Sequence, residues 1–323
     1  MVEHNKQANE PALSAIILVN DTYDSVRQAV SYLQAQTIAG QIEIVFVAPS
    51  YEQLKPDKSG LAHFHSWCVA EVGRITSIAR GYVAGIRHAH APIVALTQDH
   101  SFPDINWAEL LVTAHKQHWA AVGPKMGNGN PNTAISWADF YMSYGEWAHP
   151  ASSGAVRHLP GHNSSYKRDI LLEYASELEY LMEAESILHR RLTSQGYELM
   201  LETGTCTLHL NYAKWSSWML KRYYQGRQFA STWARSWPWA HRLLYSIASP
   251  LIPWIRLSRI QKHIRRGQGF NFLICLMPAL LLGLLAEGVG HMIGYMAGPG
   301  GCIEKLTKYE FDRVKHVELI CKK

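Results

Sequence analysis

The sequence is poor in cysteine and lacks the N-terminal features of a secreted protein. Its 323 residues include five cysteines, an odd number, and no two of them form a CxxC pair. We therefore expect neither a disulfide framework nor a cysteine-based zinc site. Residues 1–11 are polar and contain no apolar stretch of the signal-peptide type. These features predict a reducing compartment, with this part of the chain on the cytoplasmic side.

Charged residues are also scarce, at 18% of the chain. Hydrophobic residues make up 47%, which is ample material for a core and excludes global disorder. The length fits one large α/β domain with an appendage, or two modest domains. The net charge of +5 is low for a nucleic-acid-binding protein, and the cations cluster between Lys214 and Arg266 among Trp and Tyr residues. Such a segment suits an anionic membrane surface, so we expect no nucleic-acid partner.

Three short apolar segments, at residues 12–19, 42–47 and 93–97, are rich in Ile and Val and read as buried strands. Helical patterns at residues 22–36 and 77–89 separate them, whereas residues 60–71 favour no element. Strands that alternate with helices predict an α/β fold with a mainly parallel sheet flanked by helices.

The residues that follow these strands are the first candidates for a binding site, because ligands of open α/β sheets lie at the carboxyl ends of the strands. They are Val19, Asn20, Ala48, Gln98, Asp99 and His100. A carboxylate beside an imidazole can bind a divalent cation, so Asp99 and His100 are candidate metal ligands. The alternative is a structural Asp at a strand end.

Further along the chain, the sequence predicts a turn at residues 161–165 and a helix at 177–196 that ends at a glycine. Glu183 and Glu185 lie two positions apart in this helix and point to different faces, so only one of them can enter a site. A solvated acidic face is the alternative for both. His209 ends an extended apolar stretch and is either a further metal ligand or a structural histidine.

The chain changes character at Lys214. Residues 213–269 are basic and aromatic, residues 270–299 are strongly apolar with Glu287 as the single formal charge, and residues 300–323 form a basic tail. The apolar segment exceeds the roughly 20 residues that a bilayer crossing takes. Pro278 and several glycines interrupt it, so a span and a re-entrant or in-plane hairpin are both open. A buried helical hairpin of a soluble domain is the alternative.

Four segments resemble, in the same order, the motifs of family-two glycosyltransferases, which have the GT-A fold. LSAIILVND resembles the first strand SVIIPTYN of that family. SIARGYVAGIRHAHAPIVALTQDHSFPDINW resembles ARNxGIxxAxGxIVAF and the overlapping IVAFLDDDxxPxPxW. GHNSSYKRDIL resembles GxNxAYRRxxL, and MEAESILHRRLTSQGY resembles the acidic WEDxxLxxRLxxxGY segment. The series covers most of residues 13–209, which makes residues 1–212 the expected GT-A-like domain.

The resemblance implies transfer of a sugar, with inversion, from a nucleotide-sugar donor to a hydroxyl or to the phosphate of a lipid carrier. The apolar segment, and no acceptor motif, predicts that the acceptor is lipid-linked or membrane-bound. Asp99 would bind the donor diphosphate and a divalent cation, Mn²⁺ or Mg²⁺. Gln98 and His100 stand where the family has acids, and imidazole suits manganese better than magnesium. Ala48 replaces the acid that reads the nucleobase, which leaves the base open.

Further roles follow from the same resemblance. Val19, Asn20 and Arg80 would lie on the donor side, and Gly161, His162 and Asn163 would form the acceptor-side turn. One of the two glutamates would be the catalytic base, with the motif slightly favouring Glu183. His209 matches a late histidine that GT-A enzymes use at the metal or diphosphate. Apart from the resemblance, a guanidinium can bind two phosphate oxygens, so Arg222 and Arg227 are candidates to close over the donor phosphates or to meet lipid phosphate, with contact to the membrane surface as the alternative.

Three other readings compete with this one. A non-catalytic nucleotide-sugar-binding membrane scaffold is suggested by the missing acids at Ala48 and Gln98. A nucleotidyltransferase would have a glycine-rich basic loop after the first strand, where this chain has Val19-Asn20-Asp21-Thr22. An RNA-binding membrane protein lacks support from any aromatic-rich sheet signature. The sequence specifies neither the donor sugar nor the oligomeric state.

Overall fold

The computed structural model describes residues 10–150 and 152–317. The chain divides into two compact units. The sheet unit comprises the chain up to Gly127 together with Pro150–Leu208, and the helical unit comprises Asn128–His149 and the chain from His209 onward. The boundary expected at residue 212 therefore falls near Leu208. Residues 128–149, expected in the catalytic domain, belong instead to the helical unit.

Nine strands form one sheet among the described residues. They are Leu13–Leu18 (β1), Ile42–Ala48 (β2), Ser66–Glu71 (β3), Ile93–Thr97 (β4), Ser101–Pro103 (β5), Ala121–Asn128 (β6), Gly154–Val156 (β7), Ser165–Lys167 (β8) and Leu199–His209 (β9). The order is β3-β2-β1-β4-β8-β6-β9-β5, with β7 paired to β9. The three strands predicted from apolar segments are confirmed as β1, β2 and β4. The strand β3 arises from the segment that favoured no element.

The predicted α/β class is confirmed, but the sheet is parallel only in part. The strands β3, β2, β1 and β4 pair in parallel. The pairs β4–β8, β6–β8 and β7–β9 are antiparallel. The expectation of a mainly parallel sheet is thus wrong for the second half, because only the first strands are joined by the helical crossovers that parallel pairing requires. Every residue of β1 and β2 is buried, as a sheet covered on both faces requires.

Fifteen α-helices occur in the described residues. They are Arg27–Gln34 (α1), Tyr51–Leu54 (α2), Lys58–Leu61 (α3), Ile78–His88 (α4), Trp107–His115 (α5), Ala134–Ala148 (α6), Arg168–Leu172 (α7), Leu178–Met182 (α8), Glu185–Ser194 (α9), Trp215–Trp233 (α10), Trp239–Ala248 (α11), Ile252–Gly267 (α12), Phe270–Ala297 (α13), Cys302–Phe311 (α14) and Arg313–His316 (α15). Short 3₁₀ helices cover Tyr23–Ser25, Ala39–Gln41, Gly161–Asn163 and Ser249–Leu251.

The helix α4 packs directly against the sheet, and its small residues set the distance between the helix and β1. Ser77 caps its first turn by accepting a hydrogen bond from the backbone N–H of Arg80 at 3.3 Å. A Cβ atom on Gly85 would overlap the side chain of Ile16 in β1. Because α4 follows β3, its N-terminus lies toward the carboxyl ends of the parallel strands. This arrangement brings the start of α4 toward the expected binding edge.

The single helix predicted for residues 177–196 is wrong, since the structure has α8 and α9 there. Ala184 separates them with an extended backbone, at φ −146° and ψ 106°. Leu181 and Leu188, on either side of the break, are both fully buried, so packing overrides the helical propensity of the segment. The predicted glycine end is confirmed, because Gly196 follows α9 with φ 87°.

The apolar segment forms α13, a continuous helix of 28 residues that runs through Pro278. The re-entrant and hairpin alternatives are therefore wrong. At a rise of about 1.5 Å per residue, the helix is about 42 Å long. It is the one helix in the described residues that is long and apolar enough to cross a membrane. Within the helical unit it packs against α6, α10, α11 and α12.

Candidate functional site

The strand order reverses between β1 and β4. The chain proceeds outward from β1 to β2 and β3 and then crosses back to β4 on the other side of β1. Such a switch point opens a crevice at the carboxyl ends of the two strands, where α/β proteins bind ligands. Val19 and Asn20 follow β1, and Gln98 and Asp99 follow β4. Four residues predicted from the sequence therefore flank this crevice.

The three residues after β4 have different surroundings. Asp99 accepts a hydrogen bond from the imidazole of His100, with 2.5 Å between Oδ1 and Nδ1. The side chain of His100 is buried, whereas that of Asp99 is 12% exposed. The Oε1 atom of Gln98 accepts from the Nδ2 of Asn163 at 3.3 Å. Asp99 is thus the member of this motif whose side chain is best placed to meet a ligand, and Gln98 connects the motif to the turn at Asn163.

The turn Gly161–Asn163 is a 3₁₀ helix that leads into β8, next to β4. Its backbone closes through a hydrogen bond from the N–H of Asn163 to the carbonyl of Pro160 at 2.9 Å. The ring of Tyr82, from α4, lies 5.2 Å from the ring of His162. The hydroxyl of Tyr82 donates to the carbonyl of Thr97, the last residue of β4, at 2.8 Å. Tyr82 thereby joins the turn to β4, a role that the sequence gave no reason to predict.

The first residue of α9, Glu185, forms an ion pair with the Nε2 of His162. Its carboxylate also lies against Gly161, where a Cβ atom would approach the Cδ of Glu185 to 2.6 Å. A glycine at this position is therefore required for the close approach. Glu183, which the family motif slightly favoured, is the C-cap residue of α8. The break at Ala184 lies between the two glutamates, and Glu185 meets the turn Gly161–Asn163.

Burial and charge set the ionisation of this pair. Burial works to raise the pKa of Glu185, but the charge and hydrogen bond of His162 outweigh burial and lower it overall. Behind it, burial lowers the pKa of His189 to about 4. His189 shares a hydrogen bond of 3.0 Å with the hydroxyl of Tyr166, and burial raises the pKa of Tyr166 well above its usual value. At neutral pH, Glu185 is consequently a carboxylate and His189 is neutral.

Two other predicted donor-side residues, Ala48 and Arg80, lie at the end of β2 and in the first turn of α4. Ala48 is the last residue of β2 and is fully buried, and its carbonyl accepts from the N–H of Val72 at 3.0 Å. Arg80 lies in the first turn of α4 and is exposed to solvent. The buried methyl group of Ala48 cannot recognise a nucleobase through hydrogen bonds. An exposed guanidinium at Arg80 is free to reach a phosphate group.

The expected phosphate contacts of Arg222 and Arg227 find no support in the helical unit. The side chain of Arg222 is 1% exposed and binds the carboxylate of Asp139 at 2.5 Å. Arg227 donates from Nε to the carbonyl of Gly298 at 2.9 Å. His209 is also buried, with its Nδ1 atom 3.1 Å from Oδ1 of Asn211. These three side chains have structural partners within the helical unit, and none of these contacts involves the motif at Asp99.

Asp139, which the sequence pattern did not single out, is the centre of a buried cluster of charges in the helical unit. Its carboxylate is reached by the backbone of Tyr212 at 3.2 Å and by the side chains of Trp218 at 2.9 Å, Lys221 at 3.4 Å, Arg222 at 2.5 Å and Arg313 at 4.0 Å. Burial opposes the charge of Asp139, but these cations lower its pKa overall. Burial lowers the pKa of Lys221 to about 8. An aspartate among the aromatic residues of α6 was the available signal.

A metal ion at Asp99 would need further coordination from a bound diphosphate. The described residues contain no group of three or more His, Cys, Asp or Glu side chains arranged to hold a metal ion. Asp99 and His100 offer two donor groups, and these face each other. Magnesium-type sites commonly use one or two carboxylates together with substrate phosphates. The residues present therefore fit a cation that arrives with a diphosphate, and Mn²⁺ or Mg²⁺ stays a prediction.

Comparison with known proteins adds no assignment, since no protein-family model and no curated protein matches this chain. The resemblance to family-two glycosyltransferases rests on the motifs themselves. Their arrangement at the carboxyl end of β4 is therefore the main physical argument about function.

Proposed function

We propose that this protein is a membrane-associated inverting glycosyltransferase with a GT-A-like sheet unit. One observation carries the proposal: motifs from three distant parts of the sequence meet beside the end of β4. The hydrogen bond between Gln98 and Asn163 joins the donor-side motif to the turn, and the ion pair between His162 and Glu185 joins the turn to α9. This combination supplies a diphosphate-binding edge next to an ionised carboxylate.

On the donor side, the nucleotide-sugar would lie in the crevice between β1 and β4, with its diphosphate near Asp99. Arg80, exposed at the start of α4, is available to a phosphate oxygen. A bound divalent cation would neutralise charge on the departing nucleoside diphosphate. Asp99 would hold that cation, while the buried His100 keeps the Asp99 carboxylate oriented through their hydrogen bond.

On the acceptor side, Glu185 would accept the proton of the acceptor hydroxyl. The hydroxyl oxygen forms a bond to the anomeric carbon as the bond from that carbon to the diphosphate oxygen breaks, which inverts the configuration. The carboxylate must be ionised for this step, and the charge of His162 keeps the pKa of Glu185 low. The turn at Gly161 leaves space for the carboxylate beside the reacting atoms.

The helical unit supports a membrane-bound or lipid-linked acceptor. The helix α13 is long and apolar enough for contact with hydrocarbon, and Trp239 and Trp254 are 74% and 64% exposed. Exposed tryptophan side chains of this kind are typical of membrane interfaces. An anchored enzyme would meet acceptors that are confined to the same membrane, with its sheet unit on the cytoplasmic side.

The test is release of nucleotide from a panel of UDP-, GDP-, TDP- and CMP-sugars, with and without Mn²⁺ or Mg²⁺, in the presence of membrane extract as acceptor. Metal-dependent release from one donor that is lost in Asp99→Asn is the expected result. Binding of a nucleotide without turnover would favour the second candidate, a non-catalytic scaffold. That candidate is favoured by Ala48 and Gln98, which replace acids. Absence of any nucleotide binding would contradict both.

A further inference from the structure

The helix α13 is tightly joined to the more polar helix α10. Glycines allow this approach, because a Cβ atom on Gly290 would overlap the carbonyl of Tyr223, and one on Gly294 would overlap that of Arg227. On the other side of the contact, a Cβ atom on Gly226 would overlap the carbonyl of Glu287. The backbones of the two helices are therefore in close contact between Glu287 and Gly294 of α13, over about two turns. Wherever α13 lies relative to a bilayer, α10 lies there too.

Charges surround the middle of α13. Glu287, on α13 itself, forms an ion pair with Arg256 of α12 and lies 3.8 Å from the guanidinium of Arg222 in α10. Lys221 and Arg222 bind Asp139 in α6. If α13 crossed a bilayer, this cluster and three helices that lack the length and apolarity of a span would lie at the depth of the hydrocarbon. Charged side chains at that depth are costly even when they are paired.

The outward face of α13 is nevertheless almost entirely apolar, with the exposed polar side chain of Asn271 near its start. Its exposed large side chains follow one helical stripe, at Phe270, Ile274, Leu282, Leu285, Val289, Met292 and Met296. A second exposed apolar surface runs from α11 into α12, at Trp239, Leu244, Ile247, Leu251, Trp254 and Ile255, with exposures from 50% to 74%. Apolar surfaces of this extent are uncommon on soluble monomers and mark contact with a protein or a membrane.

The charge of this part of the chain favours a membrane over a protein as the partner. Residues 203–286 contain eleven Lys and Arg residues and no Asp or Glu. The second half of α12 exposes Arg259, Lys262, Arg265 and Arg266, directly after the exposed apolar residues of its first turn. Cations beside exposed Trp, Leu and Ile side chains are typical of helices that lie in the headgroup region of anionic bilayers.

We propose that the helical unit enters a single leaflet of an anionic bilayer and does not cross it. The stripe on α13 and the apolar surface of α11 and α12 contact the acyl chains, and the basic residues of α12 contact lipid phosphates. Both ends of α13 lie on one side of the membrane. This inference rests on the membrane association in the proposed function, but its tests need no enzymatic activity.

The first test is topology in cells that produce the full chain. Single cysteines, Gln268→Cys before α13 and Gly301→Cys after it, are introduced into a background with Cys206→Ser, Cys275→Ser and Cys321→Ser. Cys68 and Cys302 are buried and stay in place. A membrane-impermeant maleimide should label both positions in inside-out vesicles and neither in intact spheroplasts. Labelling of the two positions from opposite sides would overturn the proposal.

The second test is flotation of the purified protein with vesicles of phosphatidylcholine alone or mixed with phosphatidylglycerol. We expect flotation with the anionic vesicles, and Trp239→Glu/Trp254→Glu should reduce partitioning by about tenfold or more. Ile105→Glu, at an apolar residue of the sheet unit that is 62% exposed, is the matched control and should float normally. Arg265→Gln/Arg266→Gln should weaken binding, whereas Lys58→Gln/Lys116→Gln should not. Failure of the wild type to float, or equal losses in the control variants, would overturn the proposal.

Discussion

The imidazole of His162 and the carboxylate of Glu185 form an ion pair that connects the turn Gly161–Asn163 to the start of α9. The two residues belong to different motifs of the sequence, and Gly161 provides the space that their approach requires. The pair places Glu185 at the turn. Five consequences for the sheet-unit site and the helical unit can be measured.

Replacement of Glu185 by Gln should reduce sugar transfer by roughly 10²-fold to 10⁴-fold, because a positioned general base contributes about that much to the rate. Glu183→Gln is the matched control, since Glu183 ends α8 two residues earlier. We expect it to retain activity within about threefold. The measurement is kcat for nucleotide release in the presence of acceptor. A larger loss in Glu183→Gln than in Glu185→Gln would reverse the assignment.

The acid limb of the pH profile should depend on His162. The base must be ionised, so activity falls as pH decreases through the pKa of Glu185. The charge of His162 lowers that pKa, and His162→Gln should therefore move the acid limb of kcat/KM to higher pH. His189, Tyr166 and His158 also lie near this pair and are unchanged in the variant.

The pH profile of His63→Gln, at an exposed histidine of the sheet unit, provides the control and should match the wild type. An acid limb that stays in place in His162→Gln would show that His162 does not set the ionisation of the base.

Metal binding should require a nucleoside diphosphate. Asp99 and His100 are two donors, and the described residues hold no three-residue metal group. Calorimetry should therefore detect weak or no binding of Mn²⁺ alone and clear binding in the presence of the diphosphate of the preferred base. Asp99→Asn should remove this second signal. Tight binding of Mn²⁺ to the protein alone would contradict the ligand set described above.

Asp139→Asn should destabilise the helical unit by about 3–5 kcal/mol, because it leaves buried cations without their counter-charge. Chemical denaturation monitored by tryptophan fluorescence gives the free energy of unfolding. A loss below about 1 kcal/mol would mean that the cluster contributes little to stability.

Lys221→Met, in the same cluster, is the matched comparison and should be far milder, since Arg222 and Arg313 still face Asp139. Burial lowers the pKa of Lys221 to about 8, so its charged form destabilises the fold below that pH. The wild type should therefore gain stability relative to Lys221→Met as pH rises from about 8 toward the ordinary lysine pKa of about 10.4.

Gly290→Ala should destabilise the protein by about 1–3 kcal/mol, because the added methyl group would overlap the backbone of α10 at Tyr223. Gly301→Ala places the same methyl group in open space just after α13 and should be close to neutral. Thermal unfolding in detergent or vesicles compares the two variants. Equal stabilities would show that α10 and α13 can separate.

The sequence predicted the parts of the fold that local pattern controls. The apolar segments at β1, β2 and β4 and the helix α4 were found within a residue or so of their bounds. The strand β3 was missed because its residues Ser66–Glu71 mix polar and apolar side chains without a clear period. The break at Ala184 was missed because an alanine between helical residues carries no stop signal, and only packing on both sides forces it.

The site was predictable where residues follow strands and unpredictable where a side chain reaches across the fold. Asp99 and Asn163 were identified from their motifs. Tyr82 was missed because its hydroxyl contact with Thr97 depends on how α4 lies over the sheet. Arg222 was expected at phosphate because a guanidinium can bind two phosphate oxygens, but its partner Asp139 lies 83 residues earlier in the chain. No local sequence pattern predicts such a pairing.

The insertion of Pro150–Leu208 between the two parts of the helical unit has a consequence for biosynthesis. The ribosome completes α6 and its Asp139 before it makes any of the basic helices that surround them. Arg313 is made only after α10 to α14. Until α10 is made, Asp139 has none of these cationic partners. The sheet unit can close first, and the helical unit is completed after it.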